Sequence, residues 1–149
     1  MVTIEDTNTL PVEEYNKFYK DIRLGISYGR GIFANRSFKK GEVIEIAPYI
    51  LDKGVAFNDY IFSSHMPKYK SLIVFGYGSM YNHSDTPNVN YVLMHHNSDK
   101  PEDSYFIYYA KRNINKDEEC KISYGKDWWT TRNIKQKGGS NRKKYCLVK

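Results

Sequence analysis

The chain has 149 residues, 40% of them hydrophobic and 27% charged, with a formal charge of +6. That balance favours one soluble globular domain with a modest core over a multidomain enzyme. No run approaches the roughly 18 consecutive apolar residues of a membrane helix, and the polar start MVTIEDTNTL fits neither a signal nor a transit peptide, so neither secretion nor a membrane partner is expected.

In chain order, residues 1–20 read as a weakly patterned N-terminal extension. Within it Val12–Tyr19 suits a short amphipathic helix with Tyr15, Phe18 and Tyr19 on one face. Eight runs rich in β-branched and aromatic residues follow: Ile22–Ile26, Gly31–Ala34, Val43–Leu51, Tyr60–Ser63, Leu72–Phe75, Val89–Leu93, Tyr105–Tyr109 and Cys120–Ser123. Turns rich in Gly, Pro, Asn, Asp and Lys separate them, which predicts an irregular, mainly β fold with few short helices.

One repeat is visible. Ala34-x-Arg36-x-Phe38-x-Lys40-Gly41-Glu42 returns 76 residues later as Ala110-x-Arg112-x-Ile114-x-Lys116-Asp117-Glu118. Each copy joins an aromatic strand to another apolar strand. The spacing predicts that Phe38 and Ile114 tuck under their turns, that Gly41 and Asp117 take positive φ, and that two half-sheets pack about a pseudo-dyad.

Three motifs could carry chemistry. Gly29-Arg30-Gly31 lacks the third glycine and the following helix of a dinucleotide fingerprint; it is either a plain turn or a place where backbone approaches a ligand. Tyr81-Asn82-His83-Ser84-Asp85-Thr86-Pro87-Asn88 gathers donors and acceptors ahead of a rigid exit. Its polar side chains equally suit a self-satisfied turn, and Ser84 beside His83 does not make a hydrolase. Ile122-Ser123-Tyr124-Gly125-Lys126-Asp127-Trp128-Trp129 places three aromatics around a glycine, enough to line a narrow channel, stack on a planar ring or cap a core.

The chain closes on a basic arm. Residues 132–149 hold seven basic residues and no acid, leaving 16 basic against 17 acidic residues in the body. Such an arm suits a polyanion such as nucleic acid, or a solvated terminus. Two cysteines, Cys120 and Cys146, neither build a disulfide framework nor form a Cys-x-x-Cys pair. An intracellular, metal-free chain is the expectation.

Taken together and in order, Gly-x-Gly before a strand, Asn-His-Ser-x-x-Pro-Asn, and a Glu-rich turn leading to Ile-Ser-Tyr-Gly-x-x-x-Trp resemble the SET-domain family of protein-lysine methyltransferases. The resemblance covers residues 21–131 and is closest to the minimal SET domains of large DNA viruses. It implies a β-clip-like fold with a pseudoknot-like crossing between the segment after Asn82–His83 and the chain near Tyr124. The implied cofactor is S-adenosylmethionine, received by the backbone at Gly29 and Arg30, by Asn82, by the backbone of His83, by Tyr124 and by Trp129 stacking on adenine. Tyr124 would be the catalytic tyrosine. Tyr60, Ile122 and Trp128 would wall the substrate-lysine channel, and Trp128, standing where relatives carry tyrosine, leaves the number of methyl groups open. The implied substrate is a histone tail, which places the protein at chromatin or in the nucleus, with the arm 132–149 touching nucleosomal DNA. A body this small could also form a homodimer to enlarge its groove. A non-histone substrate and a silent peptide- or nucleic-acid-binding module are the alternatives.

Overall fold

The computed structural model describes residues 1–27, 29–52, 61–63, 71–94 and 105–125. Tyr60, Trp128, Trp129 and the arm 132–149 lie outside the described residues. Nine strands occur among those described: β1 (Ile22–Ile26), β2 (Arg30–Ala34), β3 (Val43–Asp52), β4 (Ile61–Ser63), β5 (Ser71–Val74), β6 (Asn82–His83), β7 (Val89–Met94), β8 (Tyr105–Ala110) and β9 (Glu119–Ile122). Eight of these match the eight apolar runs within one residue at each end; β6, two polar residues long, is the addition. One sheet has the order β1-β2-β9-β6 and the other β4-β5-β3-β8-β7.

The N-terminal helix forms over Val12–Asp21, but as a 3₁₀ helix. In that geometry residues three apart eclipse one another, so Tyr15 and Phe18 share one face. Both are buried, and they join Val43, Ile46 and Ile107 in a small core of their own. The chain ahead of the helix is bound too: the Val43 N–H donates to the Val2 carbonyl at 2.8 Å, and Thr3 bridges Glu42.

The two repeat copies clasp each other. Phe38 and Ile114 pair as an antiparallel bridge, exchanging bonds of 2.8 and 2.9 Å, and each is at most 2% exposed. The Gly41 N–H donates to the Ala110 carbonyl, and the Asp117 N–H donates to the Ala34 carbonyl, both at 2.8 Å. Arg36 holds Glu42 at 2.8 Å while Arg112 holds Glu118 at 2.6 Å. Gly41 has φ 87° and Asp117 has φ 69°, the left-handed turn that each copy requires.

The pseudo-dyad extends into the strands. The pairing Phe33↔Glu119 of β2 with β9 is matched by Tyr109↔Val43 of β8 with β3. It fails at two places. A β-bulge between Val43 and Glu45 shifts the register of β3, so that Glu45 lies opposite Tyr108. Beyond that, β3 takes antiparallel β5 as its outer neighbour, whereas β9 takes parallel β6. The main core, including Ile32, Phe38, Ile44, Tyr81, Tyr108, Ile114 and Ile122, fills the space between the halves.

Candidate active site

Strand β6 is short because its side chains are polar and the chain turns away at once. It pairs Asn82 with Lys121 and His83 with Ile122, and the Ser84 N–H continues the contact to the Ile122 carbonyl at 2.9 Å. The loop then closes on itself, with the Thr86 N–H donating to Ser84 Oγ at 3.0 Å. Asn88 ties it back to β9. Its Oδ1 accepts from the Lys121 N–H at 2.7 Å, and its Nδ2 donates to the Glu119 carbonyl at 2.8 Å. One buried side-chain amide thus serves two backbone groups of a neighbouring strand. This is the crossing that the resemblance implies.

His83 fastens the next segment. Its Nδ1 accepts from the Tyr124 N–H at 3.0 Å, so the ring proton resides on Nε2, which donates to Asp85 Oδ1 at 3.0 Å. Tyr124 is held at its other end as well, its hydroxyl donating to the Tyr81 carbonyl at 2.7 Å. With that proton committed, the Tyr124 oxygen can only accept from a further partner. The tyrosine lies half-buried against the main core. Ile122 is 1% exposed within that core, and its carbonyl takes part in the crossing.

Asn82 joins the site to the first motif. Its Nδ2 donates to the Arg30 carbonyl at 2.6 Å and to Glu119 Oε1 at 2.9 Å. Both amide protons are used, so any further bond of this amide is one that Oδ1 accepts. Gly31 makes this approach feasible, since a Cβ there would stand 2.6 Å from Asn82 Nδ2 and would collide with Glu119 Oε1. Glu119 also accepts from the Ser27 hydroxyl at 3.1 Å. An amide oxygen beside a carboxylate suits an ammonium group, and exposed Arg30 suits a carboxylate, so these residues fit the amino-acid end of S-adenosylmethionine.

The fit gives a test. Glu119→Gln keeps the shape but removes the charge, so affinity for S-adenosylhomocysteine should fall about tenfold by calorimetry. Affinity for 5′-methylthioadenosine, which lacks the amino-acid end, should stay as in the parent. Equal losses for both ligands would remove Glu119 from the cofactor site.

Other ionisable groups nearby are shaped by burial. Burial, reinforced by Glu118 and Glu119, pushes the Cys120 thiol up to about 12, so it is no nucleophile at neutral pH. Burial likewise drives the Tyr81 and Tyr108 hydroxyls well above their ordinary range, helped by the charge of Glu45. Of the residues anticipated from sequence, Arg30 is bonded to Asn82 and Tyr124 to His83, while Gly29 accepts from the Ser27 N–H just ahead of β2. Asn88, Glu119 and Tyr81 were not anticipated as site residues. Asn88 lay within the quoted motif, and the Glu118-Glu119 pair was read only as a turn.

Two interlocked sheets, a polar loop crossing the last strand and a tyrosine hydroxyl pinned beside it define a SET-type fold. The chain belongs to the SET-domain family, matched over residues 29–125. That membership, with the histone-lysine methyltransferases among its relatives, makes the chain a protein-lysine methyltransferase that uses S-adenosylmethionine. It is 31% identical over 108 residues to a histone-lysine N-methyltransferase of Schizosaccharomyces pombe specific for H3 lysine-37, covering 68% of this chain and 69% of that protein. A crystal structure of a Plasmodium falciparum candidate histone methyltransferase superposes with a TM-score of 0.59 at 37% identity, covering 70% of this chain and 96% of that one. KRYPTONITE, solved with mCHG DNA and SAH, shares the fold at a TM-score of 0.60 and 20% identity, over 80% of this chain and 27% of its own.

Proposed function

We propose that this protein methylates a lysine side chain of a histone tail. The observation that carries the reading is the committed hydroxyl of Tyr124, 2.7 Å from the Tyr81 carbonyl and able only to accept from anything else. When bound, S-adenosylmethionine supplies a methyl group on a sulfonium, which leaves readily as a thioether. The remaining work is orientation. Asn82 Oδ1 and Glu119 receive the ammonium, and the backbone at Gly29, Arg30 and His83 frames the rest of the cofactor. A free lysine amine has a pKa near ~10.4 and must lose its proton before it can act as nucleophile; a dry channel wall beside a cation favours the neutral form. Tyr124 then accepts an N–H of that amine and aims its lone pair.

Tyr60, Ile122 and Trp128 belong to the channel wall in this reading, and Trp129 stacks on adenine. The arm 132–149 holds nucleosomal DNA through its uncompensated charge. A chromatin or nuclear setting follows from the substrate. Kinship with the minimal SET domains of large DNA viruses is supported by the short spacing from Gly29 to Tyr124. A homodimer would enlarge the substrate groove.

The test is methyl transfer from labelled cofactor to recombinant nucleosomes, free histones and a whole-cell lysate. Label on one histone band establishes the substrate class. Label confined to non-histone bands keeps the chemistry and discards the chromatin substrate, and no label anywhere despite cofactor binding overturns the reading.

A further inference from the structure

We infer that Tyr19, Glu45 and Tyr81 form a positioning relay for the hydroxyl of Tyr124, so that the segment ahead of β1 belongs to the catalytic apparatus; the inference rests on the methyltransferase reading above. Glu45 is fully buried at the β3 bulge, where the repeat loses its symmetry. Its Oε1 accepts from the Tyr81 hydroxyl at 2.8 Å, and its Oε2 accepts from the Tyr77 N–H at 2.8 Å. The Tyr19 hydroxyl, from the N-terminal helix, stands beside the same carboxylate. No side chain fits at Gly76, because a Cβ there would meet both the Tyr19 hydroxyl and, at 2.6 Å, Glu45 Oε2.

Tyr81 is therefore clamped. Its hydroxyl is on Glu45, its ring stacks on Tyr108 at 4.5 Å, and Tyr108 is itself fixed through a 2.9 Å bond from its hydroxyl to the Gly78 carbonyl. The carbonyl of the clamped residue receives the Tyr124 hydroxyl. Movement of Tyr19 or Glu45 thus reaches the catalytic oxygen through one residue.

The groups facing Glu45 are Tyr19 from the helix, Tyr77 from the turn, Tyr81, and Tyr108 from β8, with Cys120 of β9 behind Tyr81. None is a cation. The bonds from Tyr81 and Tyr77 and the neighbouring Tyr19 hydroxyl hold the charge, and burial outweighs them, raising the carboxyl to about 7. Only the carboxylate can accept from the Tyr77 N–H and the Tyr81 hydroxyl while also facing the Tyr19 hydroxyl as an acceptor. A protonated carboxyl must donate in turn, which reverses one tyrosine hydroxyl and loosens the clamp.

The experiment uses the full chain with labelled cofactor and histones, comparing Tyr19→Phe, Glu45→Gln and Tyr15→Phe. Tyr15 lies in the separate small core and serves as control. Tyr19→Phe should lower kcat about tenfold while KM stays within about twofold, the effect of removing one polar neighbour of a buried carboxylate. The parent kcat should rise through an inflection near pH 7 that Glu45→Gln lacks, with Tyr15→Phe behaving as the parent. Hydrogen exchange at the Tyr124 amide should speed up in Tyr19→Phe. Parent-like kcat and pH profile in both variants overturn the relay. If the parent turns over no substrate, the functional reading fails on its own. Unchanged Tyr124 exchange in Tyr19→Phe then overturns the relay as well, and faster exchange upholds its structural part.

Discussion

Phenylalanine in place of Tyr124 will lower methyl transfer by about a hundredfold to a thousandfold, the range for losing one positioned group at a reacting centre. The substitution is a narrow one. The ring still packs on the main core, and the Tyr124 N–H still reaches His83 Nδ1 at 3.0 Å, so the crossing survives. What disappears is the oxygen 2.7 Å from the Tyr81 carbonyl, and with it the proposed acceptor for the lysine amine. The abandoned carbonyl costs about 1 kcal/mol of stability, a small shift in the unfolding midpoint. Cofactor affinity, assigned to Asn82 and Glu119 in the proposed reading, should remain within about threefold by calorimetry, since ~1 kcal/mol of indirect disturbance corresponds to little more. A variant retaining a tenth of the parent rate would remove Tyr124 from its catalytic role.

Phe38→Ala will have the largest effect on stability, a loss of about 3–5 kcal/mol in urea unfolding. Phe38 is 2% exposed and lies in the seam where the repeat copies meet, bridged to Ile114. Its ring also lies 4.1 Å beneath the Arg36 guanidinium, which in turn holds Asp21 and Glu42. Truncation leaves a cavity between two sheets whose backbone bonds fix their separation, so the walls cannot collapse onto it. Ile114→Ala removes the matching side chain and should cost about 2–5 kcal/mol. The double variant should lose less than the sum of the single losses, because both empty the same space. A Phe38→Ala loss below about 1 kcal/mol would mean that the seam carries little of the stability that such burial implies.

Much of this fold was legible in the residues because the strands alternate with turns whose chemistry is local. Gly41 and Asp117 announce positive φ, and the apolar runs between them are too short for helices. The repeat was legible for the same reason, and its reciprocal bonds follow once the copies meet. Strand β6 was not legible. Asn82 and His83 have no strand propensity, and they pair only because Asn88 and Ser84 bring β9 alongside. Glu45 was hidden within an apolar run, where it reads as the solvent side of an alternating strand. The bulge turns it inward instead, and a bulge depends on tertiary pairing rather than on the residues around it. Family resemblance supplied Asn82 and Tyr124 as site residues, but it did not point to Glu119, whose role depends on which way the Asn82 amide is turned.

The reciprocal clasp has a further consequence. Every bond that the first copy gives, the second returns, so a chain of half this length carrying one copy would hold both sides of the contact. Two such chains could lock about a true two-fold axis, which makes the present molecule equivalent to a dimer fused end to end. The same property offers a route to domain exchange, in which one arm leaves its own partner for that of a neighbouring chain. Only at the rim do the halves part company, with β5 antiparallel on one and β6 parallel on the other. The residues proposed for catalysis gather at the second of these, so a single copy of the proposed chemistry is built on a scaffold made twice.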